Sequence, residues 1–409
     1  MSIERYGRNR KVNILIVSQY FWPENFRIND LALGLKALGH TVSVLTGQPN
    51  YPEGRFYKGY GFGRRWIETY QGIRVCRVPL IARGKAGGLM LMLNFLSFAF
   101  FASLLGPFLC RGKIDLIFVF EVSPITVGFP AIVMKKLKKA PIFFWVLDLW
   151  PESLSSSGKM KSGKILKLVG FFVRYIYEHC DKLLVSSKGF MSSITAVSPR
   201  SRDIVYFPNW VEEISGQKNA PYTFPSGVKI MFAGNIGASQ SFSTICEAAE
   251  QLKAYADIHW IILGDGRMAP RVRERIRKTG LESNFHMLGR YPGETMPWFF
   301  SHADAMLVTL KDEPNFELTI PGKVQSYLAS GKPVIASLSG EGAKLISEAA
   351  AGISCPAEDA DALANAVLKL YNMDERERAR MGQNGREYCL ANFDRTKLFA
   401  ALDGWIKHK

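Results

Sequence analysis

Asp115–Asp148 reads DLIFVFEVSPITVGFPAIVMKKLKKAPIFFWVLD. Two apolar runs, Asp115–Phe120 and Pro141–Leu147, bracket a helical segment, Thr126–Lys138. A strand–helix–strand unit of this kind lays its two strands side by side and parallel through a crossover. The runs are continuous rather than alternating, so the sheet is covered on both faces. The second strand ends on Asp148, an acid at the point where the chain leaves the sheet.

The pattern extends in both directions. Upstream, Val12–Ser18 is a strand, the loop YFWPENFR follows, a helix lies near Ile28–Leu38, and Thr41–Thr46 is the next strand. Downstream, Leu183–Ser187 is a further strand. Near Phe207–Trp210 the pattern resets, and after the polar stretch Ser215–Gly227 a second series begins. Its strands are Val228–Gly234, Ile258–Gly264, Phe285–Gly289, Ala305–Thr309 and Pro333–Ser337. Its helices are Ser243–Leu252, Ala269–Thr279 and Lys323–Ala329, and two helical segments, near Asp359–Tyr371 and Asp374–Leu390, close the chain. No short-period repeat is present. A length of 409 residues suggests two domains, and 47% apolar with 22% charged residues excludes disordered and fibrous classes. The expected class is α/β, with two doubly wound domains in tandem and a cleft between them.

Charge divides the chain unevenly. Residues 1–205 carry 29 Lys/Arg against 12 Asp/Glu, whereas residues 206–409 carry 23 against 24. The first half therefore faces something anionic. It also holds an uncharged run, Ala86–Cys110, bracketed by Lys85 and Arg111. That run is long enough to span a bilayer. Spanning would put the strands before and after it on opposite sides, and Gly106-Pro107 is expected to interrupt it, so a core or membrane-facing helix is the expectation. Arg64, Arg65, Lys135, Lys136, Lys138, Lys139, Lys159, Lys161, Lys164 and Lys167 in the same half favour an anionic membrane surface. Nucleic acid is disfavoured, because no recognised module is present and the basic clusters lack interleaved aromatics. The six cysteines have no short spacing and the six histidines no ligand spacing, so no metal or redox motif is expected. The basic start MSIERYGRNRK lacks a signal-peptide pattern, which implies the cytosolic side.

Three glycine-bearing loops follow strands in the second half: Gly234-Asn235-Ile236-Gly237, Gly264-Asp265-Gly266-Arg267, and Thr319-Ile320-Pro321-Gly322-Lys323. Glycine lets backbone approach an anion, a helix N-terminus offers N–H groups, and Lys323 adds a point charge suited to phosphate. An ordinary turn is the bland reading of each. The second loop formally fits G-x-G-x-x-A, the dinucleotide fingerprint. An NAD enzyme is nevertheless disfavoured, since the next strand ends in Gly289-Arg290 where a ribose-binding acid would stand.

These residues together resemble the family 4 glycosyltransferases of GT-B fold. The likeness rests on KVNILIVSQYFWPENFRINDLALGLKALGHTVSVLTGQPNYPEG at the start, VLDLWPES at 146–153, FPNWV at 207–211, then GNIG, LGDG and TIPGKVQSYLASGKPVIAS. It is greatest for a bacterial O-antigen N-acetyl-L-fucosaminyltransferase subgroup. The resemblance implies two Rossmann-like doubly wound domains facing across an interdomain cleft. Residues 1–207 would bind acceptor and face the membrane, 208–390 would bind donor, and 391–409 would form a helix returning to the N-terminal domain. It implies a retaining transfer of one sugar, first N-acetyl-L-fucosamine from its UDP donor, to a lipid-diphosphate-linked saccharide. No cofactor and no metal would be required. The setting would be O-antigen or capsule assembly, peripheral on the cytoplasmic face of the inner membrane. A mannosyl or other deoxyhexosyl transferase, a GT-B-like UDP-amino-sugar epimerase and a non-catalytic binding module are the alternatives.

The resemblance also implies roles. Asp148 stands where many relatives have a histidine and would act on the acceptor side, with helix capping as its bland alternative. Glu317 would contact the sugar. Gly234, Asn235, Gly237, Gly264, Gly266, Arg290, Pro321, Gly322, Lys323 and Gln325 would hold the donor, Gln325 at ribose. Glu24 and Asn25 would face the cleft from the acceptor side. Two departures matter: Gln325 replaces the second of a glutamate pair, and Gln240 stands where a lysine is common.

Overall fold

The computed structural model describes residues 11–84, 88–156, 163–201, 203–211 and 218–408. The basic N-terminal tail, Lys85, Ala86, Lys159 and Lys161 lie outside them. The chain forms two units. The first runs through Ser186, takes in Phe190–Phe207, and regains the chain from Thr396; Ser187–Gly189 and Pro208–Arg395 form the second.

The first unit holds eight strands: β1 Asn13–Val17, β2 Thr41–Gly47, β3 Ile67–Tyr70, β4 Ile73–Val78, β5 Leu116–Glu121, β6 Ile142–Val146, β7 Lys182–Val185 and β8 Ile204–Tyr206. Their order is β3-β4-β2-β1-β5-β6-β7-β8. All pair in parallel except β3 with β4. β5 and β6 are buried at every position, as strands covered on both faces must be. The β3–β4 hairpin is not legible in the apolar pattern, because β3 alternates exposed and half-buried positions at a sheet edge. It is closed by Gln71 and Gly72, both with positive φ (46° and 76°), the backbone of a tight hairpin turn.

The apolar run forms the helix Gly88–Leu109. It continues through Gly106-Pro107 instead of breaking there. Proline so near the helix end removes one backbone bond, and the Cys110 N–H to the Gly106 carbonyl, 2.8 Å, still closes the turn. Gly106 packs closely on β2: a Cβ there would meet Leu45 Cδ2 at 2.8 Å, so a larger residue would have to displace the end of that side chain.

The second unit holds β9 Val228–Ala233, β10 Ile258–Leu263, β11 Phe285–Gly289, β12 Ala305–Thr309, β13 Val334–Ser337 and β14 Gly352–Cys355, all parallel in the order β11-β10-β9-β12-β13-β14. One core, around Phe232, Trp260 and Val367, fills one face, and another, around Met231, Val308 and Leu328, fills the other. The helix Glu375–Asn392 and Phe393 belong to this unit, Phe393 through its carbonyl to the Val211 N–H at 3.2 Å. The return to the first unit thus starts at Thr396, not at residue 391. There the helix Arg395–Lys407 ties in through His40 Nε2 and Asp403 Oδ1 at 2.8 Å.

Candidate functional site

In the second unit the glycine loops interlock at the carboxyl ends of β9, β10 and β11, the edge where open parallel sheets take ligands. Gly234 donates its N–H to the Leu263 carbonyl (2.9 Å), Ile236 to Asp265 (3.0 Å), and Gly264 to Gly289 (2.7 Å). Gly264 has φ of +126° and no room for a side chain: a Cβ would lie 1.9 Å from the Gly234 oxygen. On Gly266 it would lie 2.5 Å from the Ile236 oxygen and 2.6 Å from Asn235 Oδ1. Gly237 abuts the other side of the Asn235 amide. Arg290 follows directly on Gly289 and is exposed beside these loops. Gly234, Asn235, Gly237, Gly264, Gly266 and Arg290 are therefore brought together by backbone hydrogen bonds and by the close packing of the glycines on loop backbone and the Asn235 amide.

Lys323 completes the group. It opens the helix Lys323–Ala329 after buried Pro321 and exposed Gly322. Its Nζ sits 3.7 Å from the centroid of the Phe232 ring, against the Cα face of Gly234, and donates to Gln240 Oε1 at 2.6 Å. No carboxylate at ion-pair distance from Lys323 is found among the described residues. Burial pushes the ammonium down to about 7. Its neighbours are an amide, an aromatic face and glycine backbone, so an arriving anion would meet a desolvated cation that no carboxylate among the described residues neutralises. Gln240, a departure in the sequence, is thus the hydrogen-bond partner that holds the lysine. A cavity of about 600 Å³ beyond Gly237, lined by Arg267, Arg271 and Lys311, adds positive charge nearby.

Glu317 ends a single helical turn, Pro314–Glu317, with its side chain exposed. Gln325 differs from expectation. It is 1% exposed and both its amide atoms lie in the interior, so it does not face a ribose in this conformation. Val324, Gln325 and Leu328 form the buried face of the short helix, and the Gln325 carbonyl accepts from Cys389 of the following long helix.

In the first unit, Glu24 also differs from expectation. Rather than facing a cleft it is 1% exposed, and its Oε1 accepts the N–H groups of Asn50 (2.8 Å) and Tyr51 (2.7 Å). It staples the loop after β1 to the loop after β2. Burial pushes it up to about 7, against the pull of those N–H bonds and of Arg77. Asn25 beside it is exposed. The staple continues: Asn94 of the apolar helix donates to the Asn50 side chain (3.4 Å) and the Ile81 carbonyl (2.6 Å) and accepts from Gln19 (2.7 Å).

Asp148 is half-buried just beyond β6. Beside it stands a residue that sequence reasoning missed. Glu121 ends β5, is wholly buried, and pairs in register with Val146. Its carbonyl takes the Leu147 N–H at 3.0 Å, and its Oε2 faces the Asp148 N–H at 3.4 Å. Burial first, then the charge of Asp148, holds the Glu121 carboxyl well above the usual range. The readable signal was an acid ending each of two neighbouring apolar strands. Among the described residues no three His, Cys, Asp or Glu are grouped to hold a metal.

Comparison with known proteins gives a consistent picture. Residues 25–210 match the model of a glycosyl transferase 4-like domain, and residues 227–373 that of glycosyl transferases group 1. WcaI of Escherichia coli K12, by name a candidate colanic acid biosynthesis glycosyl transferase, is 25% identical over 347 residues, covering 81% of this chain and 82% of that protein. WbjE of Pseudomonas aeruginosa, a candidate glycosyltransferase, is 28% identical over 255 residues, 58% of this chain and 62% of that one. Among solved structures, sucrose-phosphate synthase from Thermosynechococcus elongatus superposes with a TM-score of 0.71 at 16% identity, covering 98% of this chain and 99% of that one. HepE of Anabaena in complex with UDP and glucose gives 0.68 at 14% identity, covering 97% and 99%.

Proposed function

We propose, for a chain that is a glycosyltransferase of the GT-B fold with a 4-like domain followed by a group 1 domain, that it moves one sugar from a nucleotide-diphosphate donor to a lipid-diphosphate-linked saccharide. The setting is assembly of a bacterial surface polysaccharide. The observation that carries this reading is the Lys323 constellation: a cation without a carboxylate partner among the described residues, backed by glycine loops at the carboxyl ends of β9 and β10. A diphosphate fits that chemistry. Negative charge grows on it as the sugar–phosphate bond breaks, so a fixed cation there stabilises the transition state more than the ground state. Lys323 can fill the neutralising role a metal plays elsewhere, which motivates metal-independent transfer; retention of configuration is carried over from the family resemblance. Asp148 acts on the acceptor side, as base or charge stabiliser, with Glu121 fixing its backbone. UDP is the first nucleotide to test, supported by the UDP-bound HepE structures, and N-acetyl-L-fucosamine the first sugar.

The same reading places the protein peripherally on the cytoplasmic face of the inner membrane. The helix Gly88–Leu109 has the length and composition of a membrane span, yet the strands on either side of it, β4 and β5, lie in one sheet. Met92, Leu96, Phe100, Leu104 and Phe108, four residues apart, are 45–68% exposed along one stripe. Leu137, Leu168 and Phe171 are exposed on the next helices, with Lys135, Lys136, Lys138, Lys164 and Lys167 on the same two. Covering the stripe alone with lipid is worth on the order of 5 kcal/mol, and each basic residue at an anionic leaflet about 1 kcal/mol more. A screen of UDP, GDP and their sugars by thermal shift tests the donor. Stabilisation by no nucleoside diphosphate would refute the donor assignment.

A further inference from the structure

We propose that Arg83 receives the diphosphate of the lipid-linked acceptor; the inference rests on the acceptor reading above. Arg83, Tyr20 and Tyr51 lie on the loops that follow β4, β1 and β2, three strands that are neighbours in the sheet. All three residues therefore gather at the carboxyl edge of the first unit. The guanidinium carbon lies 5.0 Å from the centroid of the Tyr51 ring and 5.9 Å from that of Tyr20, and Nη1 reaches the Tyr20 hydroxyl at 3.4 Å. Its backbone is fixed as well, since the Arg83 N–H donates to Asn50 Oδ1 at 3.1 Å. Asn50 is itself buried and held by Glu24 and Asn94.

Among the described residues no carboxylate lies at ion-pair distance from Arg83. A guanidinium set on aromatic faces, without a counter-ion, keeps N–H donors free for two oxygens at once, which suits a phosphate. The surroundings select an amphiphilic one. The segment carrying Arg83 runs along the apolar helix: the Ile81 N–H donates to Ser97 Oγ (2.9 Å) and the Ile81 carbonyl accepts from Asn94 (2.6 Å). Ile81, Leu89, Met92 and Leu96 are exposed there. A ligand with phosphate on Arg83 and a hydrocarbon chain beside these residues is a lipid phosphate. Tyr51, 38% exposed, supplies a ring on which a sugar attached to that phosphate can stack.

The test uses the full chain and farnesyl diphosphate, pyrophosphate and phosphatidylglycerol vesicles as probes. Wild type should bind farnesyl diphosphate more tightly than pyrophosphate. Arg83→Gln should weaken it tenfold or more, and Arg83→Lys less, because the ammonium restores charge without the planar fork. Affinity for UDP and sedimentation with vesicles should stay unchanged in both variants, which also certifies their folding. If wild type ignores farnesyl diphosphate, the lipid-diphosphate acceptor reading fails and Arg83 loses its role with it. If wild type binds and Arg83→Gln binds equally well, the Arg83 assignment alone is overturned. A variant that loses vesicles in proportion to farnesyl diphosphate would also overturn it, marking Arg83 as a reader of bilayer headgroups.

Discussion

Lys323 offers the most quantitative test. Its ammonium is depressed from 10.5 to about 7 by burial, with Gln240 its hydrogen-bond partner and the Phe232 ring beneath it. At pH 7 the free enzyme therefore holds it about half protonated. A diphosphate placed against Nζ supplies the missing counter-charge and pulls the value back toward 10. Each unit of that return is about 1.4 kcal/mol, so recovering two to three units amounts to roughly 3–4 kcal/mol of coupling between proton and ligand. Binding should then take up about 0.1 proton at pH 6, about 0.5 at pH 7 and about 0.9 at pH 8. The assay is calorimetry of a UDP-sugar in paired buffers of different ionisation enthalpy. A sugar diester is used because its diphosphate does not itself titrate near neutrality. Lys323→Met, which keeps length and removes charge, should abolish the uptake and weaken binding tenfold to a thousandfold above pH 6. The ligand-free enzyme gives a second sign. Between about 7 and 10.5 the unfolded chain still holds this proton and the folded one has released it, so Lys323 makes stability rise with pH in that window. Proton uptake that is nil across pH 6–8, or the same in Lys323→Met, would refute the reasoning.

Four further outcomes are expected. Asp148→Asn should lower kcat by about a hundredfold or more with little change in donor affinity, whereas Glu121→Gln, isosteric with the protonated carboxyl, should retain most activity; the two kcat values, compared side by side, check the division of roles. Glu24→Gln should keep the loop staple while removing a destabilisation that grows as pH rises from about 4.5 to 7, because the folded state holds that proton and the unfolded state gives it up; thermal melts across that range show it as a flatter slope. Phe100→Asp, on the exposed stripe, should reduce sedimentation with anionic vesicles several-fold without altering UDP affinity, and wild type should come off in high salt. Transfer should survive EDTA, and complete loss restored by Mn²⁺ or Mg²⁺ would overturn the lysine-only account of the leaving group.

The strands of both parallel sheets were legible where they are buried on both faces, because continuous apolar runs such as Asp115–Phe120 and Pro141–Leu147 admit few other readings. β3, β8 and β14 were not, since they are short and carry half-exposed positions at sheet edges, and β4 was not either, because Arg74 and Arg77 interrupt its apolar run although all but one of its positions are buried. The glycine loops were legible for a related reason. Gly264 and Gly266 are forced by backbone approach, and the residues that force it are other glycine-loop residues close by in space. Lys323 was readable as a cation at a helix start, but its neutral surroundings were not, because Phe232 and Gln240 lie about eighty to ninety residues away in sequence.

The acids show where reading by position fails. Glu24, Glu121 and Asp148 all stand at or just past the carboxyl ends of strands in one sheet, yet only Asp148 keeps a partly exposed side chain. Glu24 is covered because the loop after β2 folds over it and offers two N–H groups. Glu121 is covered because β6 is followed by a backbone turn that lays Leu147 and Asp148 across its end. In both cases the covering element is the next strand's loop, whose path one strand's sequence does not encode. A buried carboxyl that stays protonated can fix backbone without placing a second negative charge beside Asp148. The arrangement therefore keeps Asp148 half-buried just beyond β6, with Glu121, held well above the usual carboxylate range, against its backbone N–H.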